Sequence, residues 1–186
     1  MECVMMRERL PLVGTLKQKV VQALKYAGWF SGRSVDITKV EQYYGQFGIA
    51  LSAKARDFFC EYSGIMSKWY IEVHNLNYAA DFEFRLFPYP KPYNIDDVVD
   101  FMYDDAEYTL KSEEYEHVLR LVPEQYTVVM VGEIGYYYPA RVWIDTCGKL
   151  YATHEYEDDV LLFDSLTELI EYELQGRSLT SIALKK

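Results

Sequence analysis

The sequence predicts an α+β fold: a single domain whose mostly antiparallel or mixed sheet carries helices packed against it. Three observations predict it. Helical periodicity fills the first half of the chain, strand patterns fill the second, and one last helix closes it, an order unlike alternating βαβ units. The length of 186 residues fits one domain of ordinary size. Half of the residues are hydrophobic, enough for a single well-buried core.

The first helix is expected from Thr15 to Ala27. Thr15 and Gln18 have capping-box spacing, Leu16, Val20 and Leu24 share a face with Ala23 and Ala27, and Gly28 supplies the stop. A second helix starts near Thr38, with Glu41 three residues on, buries Val40, Tyr43 and Tyr44, and is expected to break at Gly45. A third follows Ser52, carries Ala55, Phe58, Phe59 and Tyr62 on one face, and ends at Gly64. Lys68 to Val73 is rich in strand formers. Asp81 to Phe87 alternates, with Phe82, Phe84 and Leu86 on one side and Glu83 and Arg85 on the other, as a half-buried strand does. Pro88, Pro90 and Pro92 then interrupt regular structure. Two short acidic helices are expected, over Asn94–Tyr103 and Glu113–Leu121. Thr127–Val131 is a compact apolar run, with breaks expected at Gly132 and Gly135. Ala140–Ile144 and Leu150–Thr153 flank a loop whose glycine, Gly148, fits a hairpin turn. Ser165 and Glu168 open the last helix with another capping-box pair, Leu166, Leu169, Ile170 and Leu174 line it, and Gly176 closes it. No linker or repeat divides the chain. The domain is placed at residues 15–177, with an N-terminal extension (1–14) and a C-terminal tail (178–186).

The formal net charge is −10. An acidic chain is repelled by nucleic-acid phosphate and by anionic lipid. It is steered toward basic partners, unless its acidity only keeps it soluble. Eighteen tyrosines are present. A tyrosine packs its ring and keeps its hydroxyl wet, so this excess suits either a contact surface or well-filled strands. Three cysteines, Cys3, Cys60 and Cys147, lie far apart without a CxxC pair. They read as reduced thiols. No apolar run approaches the ~20 residues of a membrane span, and the N-terminus lacks a signal-peptide layout. The expected location is cytoplasmic.

Motifs for chemistry are missing. His74, His117 and His154 are isolated, with no HExxH and no zinc-ligand spacing. The glycines form neither GxGxxG nor a P-loop. Gly132-Glu133-Ile134-Gly135 is the nearest approach and reads as a turn. There is no GxSxG elbow, and Glu155–Asp159 is too short for an EF-hand loop. No cofactor, metal or small-molecule substrate is expected. The carboxylate doublets Asp96-Asp97, Asp104-Asp105, Glu113-Glu114 and Asp158-Asp159 leave a carboxylate-dependent hydrolase as a rival, although glycosidase-type catalysis needs a carboxyl separation that sequence does not give. Acidic doublets usually serve as solvated charge. What remains is surface. Asp96, Asp97, Asp104, Asp105, Glu113, Glu114, Glu155, Glu157, Asp158 and Asp159, with Tyr136 and Tyr137 among them, are the candidate contacts for a basic protein. In such a face charge gives on-rate and selectivity while aromatics anchor. Tyr103, Tyr108, Tyr115, Tyr138 and Tyr156 interleave the same segments.

The segment Ala27-Gly28-Trp29-Phe30-Ser31-Gly32-Arg33-Ser34-Val35-Asp36 resembles the AGWxxGRxVD opening of the third subfamily of the SUKH superfamily of immunity proteins. Phe58 to Ile65, with Glu61 and Gly64, resembles the FLxEFGGL helix end of that family, with Ser63 where a first glycine is usual. Val131-Gly132-Glu133 is similar to its VGE segment, and Ile144 to Tyr151, with Gly148, to its hairpin. The resemblance runs from about residue 16 to 177, and the order of the motifs carries it. It implies an α+β fold and a protein that binds a cognate bacterial toxin, often a nuclease, and blocks it without catalysis. Within the opening motif, Gly28 and Gly32 are expected to be backbone devices, Trp29 to be core, and Arg33 and Asp36 to tie the turn by an ion pair. A regulatory scaffold that recruits cellular proteins is the alternative that the superfamily offers.

Overall fold

The computed structural model describes residues 9–65, 69–72, 79–86, 113–136, 138–177 and 179–184. Its helices are α1 (Leu16–Tyr26), α2 (Thr38–Gln46), α3 (Ala53–Tyr62), α4 (Glu113–Leu121) and α5 (Leu166–Glu173). Its strands are β1 (Arg9–Pro11), β2 (Trp69–Glu72), β3 (Ala79–Leu86), β4 (Val128–Tyr136), β5 (Ala140–Asp145), β6 (Leu150–Thr153), β7 (Val160–Phe163) and β8 (Ser181–Leu184). The strands form one sheet in the order β1-β8-β2-β3-β4-β5-β6-β7. Every neighbouring pair is antiparallel. The α+β domain expected from the sequence is therefore the fold. Strands β1 and β8, near the two ends of the sequence, pair with each other at one end of the sheet.

The end residues explain where most helices start. Thr15 Oγ1 accepts from the Gln18 amide while Gln18 Oε1 accepts from the Thr15 amide, a complete capping box. Ser52 caps α3 through the Ala55 amide, and Ser165 caps α5 through the Glu168 amide. Helix α2 starts at Thr38 as expected and differs only at its far end. Its cap position is Ile37, whose side chain makes no cap bond. Asp36, one residue earlier, accepts from the Thr38 amide and hydroxyl. At the other end Gly45 does not break the helix, which runs on to Gln46 and turns at Gly48, φ 71°. A single glycine weakens a helix by only about 1 kcal/mol, and Tyr43 and Tyr44 beside it are buried. The expected helix over Asn94–Tyr103 lies outside the described residues.

Alternation along the strands sorts the sheet into two faces. Phe82, Phe84, Val129, Val131, Ile134, Val142, Ile144, Leu150, Ala152 and Phe163 point to one face. There they meet Val20, Leu24, Tyr44, Phe59, Leu169 and Ile170 from α1, α2, α3 and α5. On the opposite, outer face Val128, Met130, Trp143 and Tyr151 pack with Val118 and Val122 at the end of α4. Tyr115 of α4 stacks on Trp143 at 5.3 Å between ring centres.

Strand β4 corrects the sequence expectation most. Neither Gly132 nor Gly135 ends the strand, which continues through both. Met130 pairs with Trp143 and Gly132 with Val142, so Val131 is an extra residue, a β-bulge. The four-residue glycine segment expected to be a turn lies inside this strand. Gly132 has φ 152°, and a Cβ there would lie 1.9 Å from the Arg85 carbonyl oxygen. Absence of a side chain is thus what lets β3 approach the bulge. The buried Tyr44 hydroxyl donates to the Met130 carbonyl, which supplies a partner to the backbone where the ladder is interrupted.

Candidate functional site

The opening motif proves to be a clamp on the end of α3. A helix leaves its last carbonyls without intrahelical partners, and these attract cations. Arg33 meets them as a fork: Nη1 donates to the Glu61 carbonyl and Nη2 to the Ser63 carbonyl, each at 2.6 Å. Trp29, half-buried against the core, donates through Nε1 to Glu61 Oε1 at 2.9 Å. The Val35 amide donates to the Cys60 carbonyl. Gly28, Gly32 and Gly64 take φ of 102°, 79° and 78°. Ser63 sits in extended backbone, φ −59°, where a side chain is tolerated, so the serine leaves the helix exit intact. The ion pair expected between Arg33 and Asp36 gives way to separate roles. Arg33 serves α3, and Asp36 serves the start of α2. Hydrogen bonds from the Thr38 hydroxyl and then its amide hold the Asp36 carboxyl below its usual range.

The β5–β6 hairpin has a buried carboxylate at its base. Asp145 is 2% exposed. Its Oδ1 accepts from the Cys147 and Lys149 amides at 2.8 and 2.9 Å, and its Oδ2 from the Tyr151 hydroxyl at 3.1 Å. Burial, then the Asp145 charge, pushes the Tyr151 phenol up to about 12, so it stays a donor. Gly148 has φ 89°, and the tip it forms lies over Lys54 of α3.

The candidate contact residues divide. Asp96, Asp97, Asp104, Asp105 and Tyr137 lie outside the described residues, as does the side chain of Tyr136. Glu113 and Glu114 begin α4, where carboxylates favour a helix N-terminus. Glu113 is exposed, whereas Glu114 bonds Arg141 of β5 at 3.1 Å and so fastens α4 to the sheet. Glu155, Glu157, Asp158 and Asp159 are all exposed on the turn between β6 and β7. Tyr156, on the same turn, is 77% exposed and meets Tyr138 edge to face at 5.6 Å. Tyr138 is itself 53% exposed. The turns after β4 and after β6 therefore share one acidic, tyrosine-bearing rim.

Behind the rim lies a charged cleft of about 200 Å³ on the outer face, to which Glu114 and Glu155 both contribute. Its floor is a register row: Arg85 opposite Glu133, Glu133 opposite Arg141, Arg141 opposite Thr153. Arg85 and Glu133 are 2.8 Å apart. His154 closes it, with Nε2 at 2.9 Å from Glu173 Oε1 of α5 and Nδ1 at 3.8 Å from Glu157. The hydrogen bond to Glu173 raises the His154 pKa against the opposing effect of burial. The sequence argument missed this row, because Arg85, Glu133 and Arg141 meet only through strand register. Among the described residues no group of three His, Cys, Asp or Glu side chains is placed to hold a metal, and no helix is long and apolar enough to cross a membrane.

The class the structure defines is a one-sheet α+β domain, with α1, α2, α3 and α5 over one face, α4 on the other and an acidic, aromatic rim at its turns. The SUKH-3 immunity protein family model matches residues 16–172, and the chain belongs to that family. No curated protein and no solved structure matches it.

Proposed function

We propose that this chain is an immunity protein that binds a cognate bacterial toxin in the cytoplasm and neutralises it by occlusion, without chemistry of its own. The toxin is a basic protein, with nucleases the leading class. The observation that carries this reading is the family match across residues 16–172. The chain's physics supports it: a net charge of −10 attracts a basic partner and is repelled by nucleic acid. Its contact residues are Glu113, Glu155, Glu157, Asp158 and Asp159, with Asp96, Asp97, Asp104 and Asp105 adding charge and Tyr136 and Tyr137 adding aromatic area. Glu114 adds charge at the cleft while holding Arg141. Tyr138 and Tyr156 belong with this set, because exposed rings anchor an interface that charge alone only steers.

The experiment is co-expression with the toxin domain encoded beside this gene. Cells survive when the chain is present and die when it is absent. Continued killing in cells that accumulate folded chain refutes the reading. Association also slows as salt rises, since screening shortens to ~8 Å at physiological ionic strength. A salt-independent on-rate removes the role assigned to the acidic rim.

A further inference from the structure

The outer face carries an apolar row that, among the described residues, ends at an exposed leucine. Met130 lies opposite Trp143, Trp143 opposite Tyr151, and Tyr151 opposite Leu162. Exposure along the row is 5%, 0% and 7%, then 56% at Leu162. The break falls where the sheet ends, because β7 is the last strand and pairs with β6 alone among the described residues. In a pleated strand, alternate residues direct their N–H and C=O groups to the same side, so four-residue β7 offers about four backbone hydrogen-bonding groups outward. The two ends of the sheet also differ. Strand β1 is three residues long and contains Pro11, a device that blunts an edge. Strand β7 has no proline.

Charge selects what can pair there. Between Leu150 and Gly176 the chain has no lysine or arginine, but eight carboxylates: Glu155, Glu157, Asp158, Asp159, Asp164, Glu168, Glu171 and Glu173. Asp158 and Asp159 immediately precede β7, and Asp164, which holds Lys149, immediately follows it. A second copy paired antiparallel on this edge would set acid against acid, which is destabilising. A strand with Lys or Arg at its ends meets opposite charge.

We infer that the outward edge of β7 receives an extended basic segment of the toxin by strand addition, with an apolar side chain of that segment covering Leu162 and cations meeting Asp158 and Asp159. This rests on the immunity reading above. Main-chain bonds give such a contact its affinity and the alternate side chains its specificity. The row Met130–Trp143–Tyr151–Leu162 becomes continuous across the interface.

The test uses the full chain and the catalytically inactivated toxin domain encoded beside its gene. Amide hydrogen exchange is compared in the free and bound chain, and affinity is measured for the parent and for Leu162→Lys. Exchange of the amides in Val160–Phe163 is expected to slow on binding by about tenfold or more. Leu162→Lys is expected to weaken the complex by about tenfold or more while leaving the unfolding midpoint in place, as its side chain is exposed. Unchanged β7 exchange in a tight complex, with Leu162→Lys binding like the parent, overturns strand addition and leaves immunity standing. Failure of the toxin to bind at all overturns both. A concentration-dependent dimer of the free chain that protects β7 and is lost in Leu162→Lys overturns the assignment of the edge to the toxin.

Discussion

Replacing Asp145 with alanine tests whether the hairpin base is held together by its buried carboxylate. The substitution removes acceptors for the Cys147 amide, the Lys149 amide and the Tyr151 hydroxyl. The two amides belong to exposed residues, so water replaces part of what they lose, at about 0.5–1 kcal/mol each. The Tyr151 hydroxyl is buried, and stranding it costs about 1–3 kcal/mol. The total is near 3 kcal/mol after the carboxylate's own dehydration is discounted, a large share of the ~5–15 kcal/mol that holds a domain together. For a chain of this size the unfolding midpoint falls by about 6–12 °C. Asp145→Asn keeps the Oδ1 acceptor and offers an amide that the Tyr151 oxygen can accept, so its loss is nearer 1 kcal/mol. Urea unfolding of the three proteins measures this, with an unchanged m-value showing that compactness is preserved. An alanine variant within about 0.5 kcal/mol of the parent, the usual range for an inconsequential surface change, refutes the argument.

Arg33→Ala frees the carbonyls of Glu61 and Ser63 and lowers stability by about 2 kcal/mol, discounted for partial solvent access. Arg33→Lys recovers only part of this, because an ammonium lacks the two-pronged donor geometry, and equal stability of Lys and Arg variants in urea unfolding contradicts the clamp. The raised pKa of His154 makes the His154–Glu173 contribution to stability fully present below pH 6.5 and lost as pH rises through the higher folded value. The stability gap between the parent and His154→Gln should therefore narrow from pH 6 toward alkaline pH, and a gap that widens contradicts the pairing.

Elements with a local cause were legible in the sequence. The Thr15–Gln18 box, the Ser52 and Ser165 caps and the alternation of Phe82, Phe84 and Leu86 lie within a few residues of what they determine. Glycine guided unevenly: Gly28, Gly64, Gly148 and Gly176 stand at the expected turns with positive φ, whereas Gly45, Gly132 and Gly135 do not end their elements. Gly45 is carried through α2 by its buried tyrosine neighbours, and Gly132 belongs to a strand because Arg85 and Leu86 of β3 press on it, a contact distant in the chain that no local pattern reveals. Strands β1, β7 and β8 are too short to show a period. The acidic rim was visible as composition, but its internal roles were not. Glu114 is joined to Arg141, and Arg33 is bonded to carbonyls about thirty residues on rather than to nearby Asp36. The family motif named Trp29, Arg33 and Glu61, and only the folded geometry shows the hydrogen bonds that join them.

The extra residue in β4 gives that strand two reading frames. Ahead of it the odd-numbered Val129 and Val131 look toward the helices, and beyond it the even-numbered Ile134 does. The inversion is what allows one continuous strand to lend Met130 to the oily patch beneath α4 and Glu133 to the neighbouring arginines on the same side. A relative that lost one residue at 131 or 132 would return to plain alternation, with Glu133 still outward and Ile134 still inward, and would lose the bulge and the bend it gives the strand. At its present length the strand depends on the bulge to keep Met130 and Glu133 on one face.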